Sequence, residues 1–248
     1  MPDIQTPLRP AHSHLPSRAP CGPSQRTLAP VKPSVPLDAG QRGNRLLAAL
    51  PDADWQRWMP QLEQVEMPLG QVLYESGSAI RHVHFPTTSI VSLLNLTVDG
   101  ACAEVAAVGN DGVVGVPLLM GGVSTNGCAV VQSAGQGWRL RGSFVLDEFN
   151  RGGAVMQMLL HYMQALLTQI AQSATCNRHH SIDEQACRLI LLSLDRVQGN
   201  ILHLTQELLA SRLGVRRESV TGVALALQRA GLIRYARGRV EALDRVGL

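Results

Sequence analysis

Lysine is almost absent from this 248-residue chain, because Lys32 is the sole lysine among 22 basic residues and the other 21 are arginines. Aromatic residues are also scarce, at 4%. Long apolar runs are missing too: a membrane helix needs roughly 18–20 apolar residues, 113–123 is too short, and glutamine and histidine interrupt 155–171. We therefore expect no membrane partner. The 45% hydrophobic content suffices for one or two folded domains and excludes a wholly disordered chain.

The cysteines and the N-terminus point to a reducing compartment. The five cysteines are an odd number spread from Cys21 to Cys187, and residues 1–30 contain no apolar block of the kind that a secretory signal needs. These features predict free thiols in a cytoplasmic protein rather than a disulfide framework.

Proline is concentrated at the N-terminal end, where residues 1–40 hold nine of the 14 prolines. This density removes backbone donors and opposes sustained helix or sheet, so residues 1–42 are predicted to form a disordered tail. A basic arm that touches DNA and a start codon placed too far upstream remain as alternatives.

Residues 43–152 are predicted to form a compact antiparallel β-sandwich or β-roll, which the family resemblance described below identifies as a sensor domain. Asn44 and Asp52 are expected to cap two short helices. Turn signals such as Asp99-Gly100 then separate short apolar runs, at a spacing typical of small antiparallel folds. The eight predicted strands are Val65–Met67, Val72–Tyr74, Val83–Phe85, Ile90–Leu96, Ala101–Val108, Val113–Met120, Cys128–Val131 and Trp138–Leu140.

The hydrophobic period changes after Ser143, a predicted cap for the helix 144–149, and residues 153–177 are predicted to form a long dimerisation helix. Its apolar seam recurs at alternating three and four residues and consists of Met156, Leu159, Met163, Leu166, Ile170 and Ser173. A single core-facing helix would show a similar but broader stripe, and Leu160, Leu167 and Ala171 widen this one. We expect the helix to pack on its twin along one edge and on the roll along the other, giving a homodimer.

Residues 178–248 are predicted to form a DNA-binding domain. The sequence from Ser181 to Glu184 fits a capping box that opens a helix with Ala186, Leu189, Ile190 and Leu194 on its buried side. Two further helices follow, with Ala210 at their close crossing and Gly214 ending the first of them. The exposed start of the second helix then carries Arg216, Arg217, Glu218, Ser219 and Thr221.

That set of side chains suits the major groove of double-stranded DNA. Arginine can bond both acceptors of guanine, glutamate can accept from cytosine, and hydroxyl groups at a helix start can meet phosphate. An ordinary helical hairpin with a solvated charged face is the alternative. Beyond it, the runs Leu232–Tyr235 and Val240–Leu243 flank a turn with Arg237 and Arg239, which predicts either a wing on the DNA backbone or a solvated turn.

The order of roll, long helix and winged helix-turn-helix resembles the Crp/Fnr family of bacterial transcription regulators over about residues 43–248. The motifs that carry the resemblance are Thr205-Gln206-Glu207, Leu-Gly-Val-Arg-Arg-Glu-Ser-Val at 213–220, Leu227-Gln228-Arg229-Ala230-Gly231-Leu232-Ile233 and Val108-Gly109-Asn110-Asp111-Gly112-Val113-Val114-Gly115. The resemblance implies an α+β protein with a jelly-roll-like sensor domain, which binds an inverted-repeat operator as a homodimer and contacts RNA polymerase if it is an activator.

The resemblance also implies roles for single residues. Arg217 and Glu218 would read bases, while Thr205, Gln206 and Ser219 would contact phosphates. The family often has an arginine where this chain has Gly222, which leaves the operator sequence open. Arg216 stands where a serine is usual and is expected to add a phosphate or base contact.

The effector pocket departs from the members that bind cyclic AMP, in which a Gly-Glu pair meets the ribose and an Arg-Ser pair meets the phosphate. The matching positions here are Gly115-Val116 and Asn126-Gly127. Without the arginine a buried phosphate would lack a charge partner, so we expect no cyclic AMP and no bound cofactor. Gating by another small ligand stays open.

Metal-based sensing is an alternative way to gate the regulator, and an enzyme is the alternative function of a different class. Iron–sulfur sensing needs four clustered thiolates, and the cysteines are scattered, but Cys176, His179, His180 and Cys187 form a possible local metal site near the hinge of the DNA-binding domain. An enzyme is not expected, because the sequence lacks a Gly-x-Ser-x-Gly elbow, a phosphate-binding Gly-Lys loop and a His-Glu-x-x-His motif.

Net charge supports the division into domains. The whole chain carries only +3, but residues 41–177 carry −3 and residues 178–248 carry +4. The split is more informative than the total, because a basic C-terminal end favours binding to nucleic acid.

Overall fold

The computed structural model describes residues 42–97, 102–122, 124–197 and 199–248. The predicted tail therefore lies outside the described residues except for Arg42, as does the predicted turn at Asp99-Gly100. Within the described ranges, no helix is long and apolar enough to cross a membrane.

Two short helices, α1 (Arg45–Ala48) and α2 (Asp52–Trp58), precede the roll, and a single 3₁₀ turn follows them at Met59–Gln61. Asn44 caps α1 as predicted, since its side chain accepts hydrogen bonds from the amides of Leu46 and Leu47. The prediction that Asp52 caps α2 is wrong. Pro51 holds the cap position, and Asp52 is the first residue of the helix. There the negative carboxylate of Asp52 is stabilised by the positive end of the helix dipole.

The roll consists of two antiparallel sheets, which confirms the predicted α+β class. One sheet has the order β1-β7-β3 and the other has the order β2-β6-β4-β5, so β5 is an edge strand. The strands are β1 (Glu63–Met67), β2 (Val72–Tyr74), β3 (His82–Pro86), β4 (Ile90–Leu96), β5 (Cys102–Val108), β6 (Gly127–Ser133) and β7 (Gly135–Arg141).

The prediction of a strand over Val113–Met120 is wrong. Val114 forms only an isolated bridge with His84, and Val116–Leu119 forms a short helix, α3. Gly115 lies between them with a φ of 113°, which a strand residue does not adopt. Pro117 at the helix start then favours α3, because proline lacks an amide to donate and its φ suits a first helical turn.

The interior of the roll is filled by apolar side chains from both sheets. Trp58 meets Phe85 and Phe144 edge to face, with ring centroids 5.9 Å apart in both pairs. A second cluster is fully apolar and consists of Met67, Val91, Val108, Val114, Ala129 and Val131. Helix α4 (Gly142–Arg151) closes the roll, but Arg141 and not Ser143 holds its N-cap position, and no side chain caps it.

Helix α5 (Gly153–His179) is 27 residues long and lies along the roll. The predicted dimer seam faces the protein's own core: Leu159, Met163 and Leu166 are buried in the same cluster as Trp58 and Phe85. Met156 and Ile170 are half-buried. The prediction is therefore wrong for Leu159, Met163 and Leu166, because a side chain that is already buried in its own chain has no surface left for a second copy. The dimer contacts of Met156 and Ile170 stay predictions.

The C-terminal domain has its own hydrophobic core. Helix α6 (Ile182–Leu194) begins with the predicted capping box, in which the Ser181 amide donates to the Glu184 carboxylate at 2.7 Å. This hydrogen bond lowers the pKa of Glu184. The predicted buried residues Ala186, Leu189, Ile190 and Leu194 all lie in the core.

The rest of that domain is a helix pair and a small sheet. The elements are β8 (Ile201–His203), α7 (Gln206–Leu213), α8 (Arg217–Arg229), β9 (Ile233–Ala236) and β10 (Arg239–Ala242). The sheet has the order β8-β10-β9. The hairpin of β9 and β10 was predicted, but β8 was not, because three residues are too short to show a strand period.

Candidate DNA-binding interface

A tight turn at Gly214 joins α7 to α8. Gly214 has φ 66° and ψ 30°, a left-handed conformation that glycine adopts without steric cost. The amide of Val215 then donates to the carbonyl of Ala210 at 3.0 Å, which satisfies an exposed carbonyl at the end of α7. Ala210 itself is buried, so the two helices cross closely there. This geometry confirms the predicted helix-turn-helix.

The N-terminal end of α8 presents charged side chains to solvent. Arg216, Arg217, Glu218 and Ser219 are all exposed. No ion pair among the described residues involves Arg216, Arg217 or Glu218. Opposite charges that are exposed and unpaired on one helix end are available to a partner, and each has the chemistry to read a base or meet a phosphate.

The other predicted contacts of the helix pair have structural roles as well. Thr205 caps α7 by accepting a hydrogen bond from the amide of Leu208 at 3.1 Å. Thr221 is half-buried, and its hydroxyl lies 3.1 Å from the amide oxygen of Gln206. The contact between Thr221 and Gln206 ties α8 to the start of α7. Whether Thr205, Gln206 and Thr221 also meet DNA stays a prediction.

The wing hairpin places Arg237 and Arg239 at its exposed tip. Arg237 has φ 49° and Gly238 has φ 75°, the backbone of a two-residue turn in which both central residues are left-handed. The amide of Leu204 donates to the carbonyl of Gly238 at 2.8 Å, so the tip lies beside the start of α7. Both arginines are exposed.

A contact that the sequence did not reveal fixes the wing to α8. The amide of Tyr235 on β9 donates to the side-chain oxygen of Gln228 on α8 at 2.9 Å. Burial raises the pKa of the Tyr235 phenol. Periodicity gives no signal for such a pair, because it joins a helix side chain to a strand backbone seven residues away.

The predicted effector residues Gly115, Val116, Asn126 and Gly127 line neither of the two cavities described below. Val116 is buried, and a Cβ on Gly115 would lie 2.9 Å from Val83, so this position is packed against β3. Asn126 is exposed and Gly127 begins β6. A groove of about 530 Å³ lies elsewhere, along α6, and a cavity of about 30 Å³ lies between β5 and α6.

The side chains of the alternative metal site do not come together. Cys176 is buried on α5 and accepts a hydrogen bond from Gln172 at 3.3 Å, whereas His179 and His180 are exposed. Burial raises the pKa of Cys187, which disfavours the thiolate that binds metal. Within the described ranges, no group of three histidine, cysteine or acidic side chains is placed to hold a metal ion.

Comparisons with known proteins bear on both domains. Residues 185–248 match the family described as a Crp-like helix-turn-helix domain. No curated protein matches the sequence. Among solved structures, a regulator assigned to the Crp/Fnr family from Eubacterium rectale is 15% identical with a TM-score of 0.66, and the match covers 84% of this chain and 97% of that one.

Two further structures are similar over both domains. A Crp/Fnr-family transcriptional regulator from Thermus thermophilus is 21% identical, with a TM-score of 0.61 and coverage of 75% of this chain and 95% of that one. The c-di-GMP-responsive global regulator CLP from Xanthomonas campestris is 14% identical, with a TM-score of 0.63 and coverage of 78% and 100%. The family match and this shared fold support the resemblance: residues 185–248 match the Crp-like helix-turn-helix domain, and the chain has the fold of these Crp/Fnr-family structures.

Proposed function

We propose that this protein is a sequence-specific DNA-binding transcription regulator that binds an inverted-repeat operator as a homodimer. One observation carries the proposal: the start of α8 presents Arg216, Arg217 and Glu218 exposed and without ion pairs in the described chain, beside a wing with exposed arginines. A helix-turn-helix inserts this end of its second helix into the major groove. Arg217 and Glu218 are the proposed base readers, and the wing arginines are the proposed phosphate contacts.

A second copy is proposed to pack on the exposed face of α5. Leu160 is 45% exposed and Leu167 is 57% exposed, which is unusual for leucine in the middle of a long helix. Both belong to an exposed stripe in which Gln164, Ala171 and Ala174 continue the alternating steps of four and three residues. This spacing is the seam of a two-stranded coiled coil, displaced by one residue from the one predicted from sequence.

Cyclic AMP is not the proposed effector. The positions that match its ligands carry no acidic or basic side chain, and apolar side chains fill the interior of the roll. The Xanthomonas campestris protein is described as responsive to c-di-GMP. No feature of the described residues favours that ligand here, so the proposed regulator has no assigned effector.

Selection of bound sequences from random double-stranded DNA tests the proposal. We expect an inverted repeat whose half-sites lie about 34–36 Å apart, one turn of DNA. A single unrepeated motif would contradict the homodimer, and no enriched sequence would contradict the function itself.

Replacement of Arg217 by Ala tests the assignment of a base reader. The expected loss of affinity for the selected site is roughly 1–3 kcal/mol, and preference should relax at one position per half-site. The matched control is Arg229→Ala, at the opposite end of α8, which should keep the preference at that position. Equal weakening on all sequences would make Arg217 a phosphate contact instead.

A further inference from the structure

A buried polar network joins the DNA-binding domain to the sensor sheet. The guanidinium of Arg212 on α7 donates to the carboxylate of Glu104 on β5 through Nε at 2.7 Å and Nη2 at 2.8 Å. The side chains are only 1% and 9% exposed. An arginine that donates two hydrogen bonds to one carboxylate fixes the relative orientation of the two side chains as well as the distance between them.

Neighbouring polar groups complete the network from both sides. Ser92 on β4 lies within hydrogen-bond distance of Glu104 and of Gln132 on β6. The amide of Gln132 donates to the hydroxyl of Ser193 on α6 at 3.3 Å, and Arg212 donates to the same hydroxyl at 3.4 Å. Three adjacent strands of the sensor thus meet two helices of the DNA-binding domain through buried hydrogen bonds.

A second ion pair joins the same two domains just beyond the C-terminal end of α6. Arg196 donates to Asp111 with Nη2 and Oδ2 2.9 Å apart, and the arginine side chain is 8% exposed. Gly109 makes room for it, since a Cβ there would lie 2.8 Å from Cγ of Arg196. The carboxylates of both pairs come from the sensor and the arginines from the DNA-binding domain.

The two ion pairs matter because the linker between α5 and α6 is short and does not by itself fix the position of the DNA-binding domain. His180 and Ser181 alone separate the two helices, and both are extended, with ψ values of 150° and 163°. Two extended residues do not fix an angle by themselves, and domain contacts that are largely polar permit relative motion. The Glu104–Arg212 pair, which is buried on both sides, opposes partial opening, because separating it leaves an unpaired buried charge. The Asp111 side chain of the second pair is 36% exposed, so that pair adds less.

We infer that the Glu104–Arg212 and Asp111–Arg196 pairs are positioning elements that set the spacing of the two operator half-sites. The inference rests on the proposed function. In a homodimer held along α5, docking of each DNA-binding domain on its own sensor fixes where each α8 points. The docked arrangement leaves Arg216, Arg217 and Glu218 exposed, so it is compatible with DNA binding.

The test measures the affinity of the full-length protein for inverted repeats whose half-sites are one or two base pairs farther apart or closer together. Each added base pair rotates one half-site by about 35° relative to the other, so a rigid dimer discriminates strongly. In Arg212→Met the preference for the best spacing should fall at least about tenfold, because the unpaired Glu104 opens the interface. Arg139→Met is the matched control, since it removes a similarly forked pair with Glu63 on the exposed face of the sensor.

A cross-link distinguishes lost positioning from general damage. Sγ of Cys102 on β5 lies 3.6 Å from Oγ of Ser211 on α7, so Ser211→Cys creates a thiol pair across the same interface. In the double variant Arg212→Met with Ser211→Cys, oxidation or a short thiol cross-linker should restore the wild-type spacing preference, and reductant should abolish the effect of oxidation. Loss of DNA binding on cross-linking would overturn the inference, as would an unchanged spacing preference in a folded Arg212→Met protein.

Failure of the proposed function has a different signature. If the wild type selects no DNA, hydrogen exchange of the full-length protein decides whether the network holds the two domains together. Faster exchange in 102–108 and 206–213 in Arg212→Met, and not in Arg139→Met, would support that role. Equal exchange in all three proteins would overturn it.

Discussion

Arg237 adopts a backbone conformation that favours asparagine or glycine. With φ 49° it is the only residue other than glycine with a positive φ in the described part of the chain. The strain costs on the order of 1 kcal/mol, and such strain is often retained at functional positions. We expect Arg237→Asn to raise the free energy of unfolding by about that amount and to weaken DNA binding, since the turn is relieved and a phosphate contact is lost.

Denaturant unfolding and DNA titration of the same samples measure the two effects. Arg237→Lys is the control, because it keeps both the strain and the positive charge and should therefore change neither quantity much. A stabilised Arg237→Asn protein that binds DNA as tightly as the wild type would remove Arg237 from the interface.

His84 is a buried titratable side chain in the sensor. It is 8% exposed, and its Nδ1 atom has no hydrogen-bond partner among the residues that the structure describes. Burial, with smaller effects from His82 and Arg139, lowers the pKa of His84 to about 4. The unfolded chain, with an ordinary pKa near 6.5, binds the proton first as the pH falls. Stability should therefore decline from about pH 6.5 to pH 4, by roughly 3 kcal/mol from this residue.

Replacement of His84 by Phe should flatten that part of the stability curve. The measurement is the free energy of unfolding at several pH values, and its slope matters rather than its absolute level. His203→Gln, at an exposed position on β8, should keep the wild-type slope. An equally steep decline in His84→Phe would assign the pH dependence to other groups.

At the scale of elements, the sequence predicts strand bounds and helix caps, but it does not predict which face of a helix packs against the rest of the protein. The bounds of β2 and β4 are those predicted, and Asn44 and Ser181 cap the helices expected, because each depends on a few adjacent residues. The strand predicted over Val113–Met120 was wrong because a short apolar run fits a strand or a buried helix equally well.

Helix α5 shows the same limit on a larger scale. Its sequence has two apolar stripes one residue apart, and periodicity cannot say which one meets the roll. Leu159 is fully buried against the roll, whereas Leu160 is 45% exposed. Tertiary packing therefore determines which stripe of α5 faces the roll. As a result, a charge at Leu159 should disturb folding, whereas a charge at Leu160 should disturb contact with a second copy.

A double replacement of Leu160 and Leu167 by Glu should convert the dimer to a monomer with little change in thermal stability. Both side chains are exposed in the single chain, so the charges disturb only the proposed contact with a second copy. Leu159→Glu is the contrasting variant and should unfold the sensor, because it buries a charge that lacks a partner. Sedimentation velocity and thermal unfolding measure the two outcomes. A persistent dimer in the double variant would place the interface elsewhere.

At the scale of the whole molecule, some arginines form ion pairs within the chain and others are exposed without an ion pair among the described residues. The C-terminal segment 178–248 carries +4 and the segment 41–177 carries −3. The sequence cannot show that Arg212 and Arg196 are paired with sensor carboxylates, nor that Arg234 and Arg245 pair with Glu241 and Asp195. The structure leaves the arginines at the start of α8 and at the wing tip without ion pairs among the described residues, so the positive charge that is free to meet a partner comes from fewer residues than the totals suggest.

This division predicts which arginines govern the dependence of DNA binding on salt. Each phosphate contact contributes about 0.9 to the slope of log affinity against log salt concentration. Replacement of Arg239 by Ala, at the exposed wing, should therefore reduce the slope by about 1.8 for a dimer, one contact in each half-site. Arg234→Ala is the matched control on the same wing, because Arg234 already pairs with Glu241 at 2.7 Å and should leave the slope almost unchanged. Titrations of the selected site at several salt concentrations give both slopes. Equal slopes for Arg239→Ala and the wild type would show that the wing stays off the phosphate backbone.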